Sequence, residues 1–552
     1  MPSPVRELTR IEAQPGNVYW AKAQRSAWLP GVSSDRMFHW LPLAILASAQ
    51  VLLVFNIATL KISIDGIITA FDAGSAMVKT AIVMYSLMVA ASVLASTRLA
   101  LMFGARRIFR VSIALFATAM AAMAWSPSAA VLLLAQMMAG AAAAVLTPAS
   151  VQLIATHYAG ERKAVALGRL SATRSLSLAP AFLIAGALAT WTDWRITFML
   201  LLLLATAVYF CSSYLHPDPD VLPGVRLTAA EMAGLAAVGV AMILIGLGSD
   251  NLINWGVLTA RPEAPFSPLN LSPALLGMLF GVVLIKLVLV WRAKRRVGGC
   301  LNVMRLLETP VQRSMLLSIF TIAAVSSGVT FLIPLYIEIV QGRSSLMTAY
   351  ALVPFTLASF IGALSVSRFS GPAMRNVTRY AFLIVGAGLV SLGGVVRNDW
   401  SDASVVLSLA AIGLGEGALA TLLFKSLASA APTDISEDVE PLCFATSHFA
   451  AAVGAAIAGA LVIGVLSINV DQHLARDPAI GSELRAHLDL SRVAFISNDR
   501  LQQALEQSPL TPEHIENAVQ INTHARLLAL KLSFFALAGL TFVGFLPVAR
   551  WR

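Results

Sequence analysis

Fourteen apolar runs, each near or above the roughly 20 residues that cross a bilayer core, dominate this 552-residue chain. They fall at about 39–60, 78–97, 108–126, 129–156, 164–190, 196–215, 229–249, 273–291, 314–339, 345–367, 379–396, 403–425, 441–467 and 528–548. In lipid, backbone N–H and C=O groups are satisfied only inside a helix or a closed barrel. Runs this long, rich in Ala and Leu, are helices and not the ten-residue alternating strands of a barrel. The expected fold class is all-α, a polytopic membrane protein with 14 transmembrane helices. With 58% hydrophobic and 12% charged residues, the chain has too little polar surface to cover a water-soluble globule. The same numbers exclude disordered, collagen-like and coiled-coil classes.

An even number of spans puts both termini on one side. Taking that side as cytoplasm places 24 Lys and Arg in the inside segments. The short outside ones hold 6, namely Lys61, Lys79, Arg195, Arg261, Arg343 and Arg397. This is the positive-inside asymmetry, and it accounts for the net charge of +10 without a nucleic-acid partner. Cys211, Cys300 and Cys443 lie in no outside segment, so no disulfide framework is implied. Residues 1–38 are polar and read as a cytoplasmic N-terminal segment, not a cleavable signal. A basic linker at 292–313, including WRAKRRVGG (291–299), suits anionic headgroups. Two outside segments are long, 250–272 and 468–527. In the second, Thr511-Pro512-Glu513 reads as an N-cap, a first-turn proline and a first-turn acid. A helical hairpin on the outer face and a solvated spacer fit it equally well. No GxxxxGK[ST], HExxH or CxxC pattern is present, so no enzyme chemistry, cofactor or metal is indicated.

Specific strings then narrow the class. FLIPLYIEIVQGRSSLMTAYALVPF (331–355), AGAAAAVLTPASVQLIATHYAGERKAVALG (139–168) and LALMFGARR (99–107) resemble the fourteen-helix drug:proton antiporter branch of the major facilitator superfamily. GLGEGALATLLF (413–424) and LSFFALAGLTFVGFLP (532–547) fit it too. The resemblance implies two pseudo-symmetric six-helix bundles, 39–215 and 314–548, with two inserted helices at 229–291. It implies alternating access around a midplane site. The implied activity is proton-coupled export of amphipathic organic compounds across a bacterial inner membrane. A periplasmic adaptor docked on 468–527 is a further implied partner, excluded if deleting that segment leaves export across both membranes intact. The runner-up is an uncoupled or receptor-like degenerate transporter of organic anions.

Departures from the family are as informative. The loop after the second span keeps Leu99, Gly104, Arg106 and Arg107, the expected gating loop, but has Thr97 and Leu101 where the family has Gly and Asp. The fourth-span Arg is Gln136 and the first-span Asp is Asn56. The glycine-rich fifth-span motif is APAFLIAG (179–186), keeping Gly186, and the thirteenth-span Arg falls at Ser447, beside His448.

A charge at the centre of a membrane helix costs at least about 2.5–3.5 kcal/mol on insertion scales, so the remaining intramembrane polar residues are site candidates. Arg174 lies about ten residues into the fifth run. It reads as an anion-binding or gating group, or as a structural partner of carbonyls. Glu416, between Gly415 and Gly417, reads as a proton carrier, a counter-ion of Arg174, or half of a static buried pair. His448 can exchange protons or simply pack. Lys286 reads as a snorkelling side chain. Lys61 and Asp65, spaced i,i+4, can pair on one helix face, with Glu338 and Gln341 across the cavity. Tyr85 and Tyr336 sit at family motif positions and are expected to line the pocket.

Overall fold

The computed structural model describes residues 40–71, 75–216, 228–262, 264–295, 304–307, 309–369, 371–397, 399–432, 439–476, 502–503, 506 and 512–549. The N-terminal segment to residue 39, residues 296–303 and 308 of the basic linker, and the middle of the 468–527 segment lie outside the described residues. The chain divides into units Met1–Pro42 and Leu43–Arg552; the second carries everything below.

Sixteen α-helices follow among the described residues: α1 (Leu41–Ile62), α2 (Ile64–Phe71), α3 (Ser75–Phe103), α4 (Ala105–Ala124), α5 (Ala129–His157), α6 (Glu161–Leu176), α7 (Leu178–Trp191), α8 (Trp194–Cys211), α9 (Ala229–Asp250), α10 (Pro273–Arg295), α11 (Pro310–Pro334), α12 (Ser345–Val366), α13 (Gly371–Val395), α14 (Ala403–Ala430), α15 (Val439–Arg476) and α16 (Pro512–Ala549). Fourteen stretches are long and apolar enough to cross a membrane. Each corresponds to one of the fourteen runs.

Local chemistry explains the interruptions. The fifth run is two helices, because Pro180 has no N–H for the Leu176 carbonyl; the chain bends at Ser177. Pro334 ends α11 and is followed by a π-turn, Leu335–Val340, that carries Glu338; such turns often mark functional sites. Gly104, with φ of 88°, starts α4. Thr228 and Glu231 form a reciprocal capping box at the start of α9. Asp402 caps α14, and hydrogen bonds from the Ser404 hydroxyl and N–H hold its carboxyl below the usual range. That contribution is present at neutral pH and disappears as pH falls through the lowered value.

Two sequence boundaries move. The thirteenth helix runs on to Arg476 and the fourteenth begins at Pro512, each 38 residues long. At 1.5 Å per residue each spans about 57 Å, roughly 25 Å more than a 30 Å core. Thr511, the expected N-cap, lies outside the described residues, and Pro512 is the first described residue of that helix. From Pro512 the helix is continuous with the fourteenth span, and most of the segment read as a hairpin or a spacer lies outside the described residues.

Packing repeats in the two halves. In the first, α3 packs on α5, and α4 on α5 and α8. In the second, α12 packs on α14, and α13 on α14 and α16. Between the halves, the second span of the first set (α3) meets the fifth of the second (α15). The fifth of the first (α7) meets the second of the second (α12). That reciprocity is the mark of a twofold relation. Helix α9 packs on α10, α3 and α15.

Candidate transport site

Polar side chains gather where the halves face each other. Arg174, in the last turn of α6, sits where a helix C-terminus favours a cation. Its guanidinium carbon lies 4.9 Å from the Phe444 ring centre on α15. Phe444 meets His448 edge-on at 4.4 Å, and His448 meets Tyr85 of α3 at 6.2 Å. Glu440, one turn before Phe444, is the acid that faces Arg174 electrostatically. His448 Nδ1 is buried without a protein hydrogen-bond partner. A cation, aromatic faces and an imidazole thus converge from α3, α6 and α15. Such a surface can hold an acidic group beside an aromatic ring.

Glu416 does not meet Arg174. It accepts a hydrogen bond from the Ser359 hydroxyl of α12, with Ser326 of α11 a second neighbour. Its place in this conformation is therefore inside the second half, against α11 and α12. The flanking glycines explain the position. A Cβ on Gly417 would lie 1.8 Å from the Ser359 carbonyl oxygen, and one on Gly415 would lie 2.8 Å from the Ala381 carbonyl oxygen.

Asn56 and Gln136, fully buried on α1 and α5, exchange amide hydrogen bonds of 3.2 and 3.3 Å. The positions where the family resemblance puts an acid and a base are here a neutral, mutually satisfied pair. Asn56→Asp alone would leave an uncompensated charge and is expected to cost about 3–5 kcal/mol when ionised. The double substitution Asn56→Asp with Gln136→Arg should recover most of that loss in thermal unfolding of the detergent-purified protein.

The end of the molecule poor in basic residues is closed across the halves. Lys61 does not pair with Asp65, because the helix breaks at Ser63. Instead Lys61 Nζ donates to Thr330 Oγ1 at 2.6 Å, and the Asp65 N–H donates to Glu338 at 3.4 Å. The Leu346 N–H donates to Thr190 Oγ1 at 3.0 Å. A Cβ on Gly186 would lie 2.8 Å from the Ser345 carbonyl oxygen, so that glycine lets α7 touch α12.

Other expected residues lie elsewhere. Tyr336 lines a small cleft with Leu332, Leu335, Val462, Arg526 and Leu530 and packs on Trp400, away from Arg174. Arg106 donates to the Ser213 carbonyl at 2.6 Å, within the first half, and Arg107 is exposed. Lys286 is exposed on α10. Sequence reading missed Glu440, Arg526 and the Lys79–Asp250 pair, all of them charges at or just beyond the edges of apolar runs. A charge at a run's edge was the available signal, and it looks the same as an ordinary interfacial residue.

Two packed sets of spans, polar groups converging between them and one end sealed by contacts from both sets define a membrane transporter. The chain belongs to the Major Facilitator Superfamily, whose pattern matches residues 46–461. It is 24% identical over 444 residues to the multidrug efflux pump LfrA of Mycolicibacterium smegmatis, covering 78% of this chain and 82% of that protein. It is 24% identical over 440 residues to the cephamycin export protein CmcT of Amycolatopsis lactamdurans, covering 78% and 87%. Among solved structures, the fold is similar to a bacterial homologue of the human lysosomal transporter Spinster in an inward-facing, unoccupied conformation. The TM-score is 0.55 at 15% identity, covering 94% of this chain and 100% of that one. Transport, not covalent catalysis, is the activity of this chain.

Proposed function

We propose that the protein exports amphipathic organic compounds, acidic or zwitterionic ones preferred, in exchange for protons. In this reading the halves 39–215 and 314–548 rock about the Arg174 cluster, and α9 and α10 are the insert. The membrane is a bacterial inner membrane with both termini cytoplasmic, which the 24-to-6 split of basic residues supports. A periplasmic adaptor docks on the ends of α15 and α16 that overrun the bilayer. The observation that carries the substrate class is Arg174 of the first half lying over Phe444 of the second, a cation and a ring that separate as the halves move.

Glu416, desolvated between α11, α12 and α14 and hydrogen-bonded to a serine, is the central proton carrier in this scheme. Glu416→Gln keeps the hydrogen-bonding shape and removes the exchangeable proton. Proteoliposomes carrying it should exchange substrate down its gradient at near wild-type rate. Substrate accumulation driven by a pH gradient should fall to the no-gradient level. Retained pH-driven accumulation would defeat the assignment. The neutral Asn56–Gln136 pair favours a second reading, an uncoupled carrier of organic anions. It predicts that wild type itself ignores the pH gradient in the same assay.

A further inference from the structure

We propose that Asp250, on the inserted helix α9, is a proton-binding site that controls closure of the end poor in basic residues. The proposal rests on the alternating-access reading and adds a site to it. Lys79 Nζ lies 3.1 Å from Asp250 Oδ1, the two side chains being 5% and 0% exposed. Lys79 also donates to the Asp250 carbonyl at 2.8 Å, and the Thr80 hydroxyl donates to Asp250 Oδ2 at 2.7 Å. This pair joins α3 to α9 where both pack on α15. The passage is Gly459 of α15, where an added Cβ would lie 2.9 Å from Lys79 Cδ. The Lys79 stem therefore packs against α15 where α3 and α15 meet, and parting those two helices uncovers that side of it. Beside the end of α9, α10 places Ala274 and Met278 against Gly248, and α15 places Gly459 against Lys79. Among the described residues, the charged side chain within ion-pair distance of Asp250 is that of Lys79.

The consequence is a linkage between proton and conformation. In the closed state the two charges are dry and balance each other. A proton taken up by the Asp250 carboxylate makes it a neutral acid and leaves the Lys79 ammonium buried alone, which is strongly unfavourable. Parting α3 from α15 admits water to that ammonium. Protonation of Asp250 thus favours the open state, and release of the proton restores the pair and the closed state. The insert thereby becomes part of the gate, and a carboxylate outside both halves supplies proton sensitivity that the Asn56–Gln136 pair lacks.

The test reads conformation and needs no substrate. Spin labels at Ala130→Cys on α5 and Ala403→Cys on α14, both exposed at that end, report its opening in the full chain with its native cysteines replaced by alanine. In wild type, acidification should shift the distance distribution to longer values. Asp250→Asn should show the long-distance population at neutral pH and lose the acid response. Lys79→Met should reverse the response, because a lone buried Asp250 can close only when protonated. The exchanged pair, Lys79→Asp with Asp250→Lys, should restore the short distance at neutral pH, which separates the proposal from a folding defect. An acid response in Asp250→Asn equal to that of wild type, or a Lys79→Met protein that still opens in acid, overturns it. Absent transport with this acid response intact would count against the exporter reading alone.

Discussion

Arg174→Ala is expected to cut transport of an acidic amphipathic probe by about 10- to 100-fold. A hydrogen bond to a charged group contributes about 1.5–3 kcal/mol, and about 1.4 kcal/mol corresponds to one factor of ten. Arg174→Lys keeps the charge but not the planar group that lies over Phe444. Losing that stacking, about 0.5–2 kcal/mol, should reduce transport by about 3- to 30-fold. Initial rates in proteoliposomes over a concentration series check both. A binding role raises the half-saturating concentration of acidic probes and leaves neutral ones near wild type. Equal rates for wild type and both variants would remove Arg174 from the site.

The second large effect is on folding. Gly417→Ala adds one methyl group, yet that Cβ would meet the Ser359 carbonyl oxygen at 1.8 Å, with the Ser359 Cα at 2.9 Å. Backbone cannot turn aside as a side-chain tip can, so α12 and α14 must separate. The cost should exceed the about 1–3 kcal/mol of ordinary overpacking. Gly413 and Gly362 make the same kind of approach, to the Phe355 and Leu414 carbonyl oxygens, so relief by sliding along the seam is blocked above and below. Most of the Gly417→Ala protein is expected to be lost as monodisperse material in size-exclusion chromatography. Gly539→Ala, with nothing within 4 Å of its added Cβ, should behave as wild type. Equal yields would mean that the α12–α14 seam yields more easily than its geometry implies. Because Ser359 also donates to Glu416, the proposed role of Glu416 predicts that surviving Gly417→Ala protein loses pH-driven accumulation as well.

Both effects trace to features visible in the sequence to different degrees. Arg174 and Glu416 stood out because a charge deep in an apolar run is costly wherever its helix goes. Their neighbours could not be read the same way. Arg174 has Phe444 and Glu440, not Glu416, as its company, and Asn56 pairs with a residue 80 positions away. Lys61 and Asp65 looked like an intrahelical pair. The break at Ser63 instead sends Lys61 to Thr330 and the Asp65 N–H to Glu338. Asp250 and Lys79 were invisible as a pair, because each alone is an unremarkable end of a span.

By itself the sequence determined the number of membrane-length stretches, the approximate limits of most of them and the position of each charge along its run. Those follow from conditions met run by run: enough apolar length to cross lipid, and backbone groups satisfied within the segment. The tertiary structure alone decided which charges meet, which end is held together by contacts from both sets of spans, and that Asp250 of α9 pairs with Lys79 of α3. Those depend on how helices hundreds of residues apart cross. The crossings are set by where small residues such as Gly186, Gly417 and Gly459 let two surfaces touch, and no local pattern along the chain encodes which surfaces those will be.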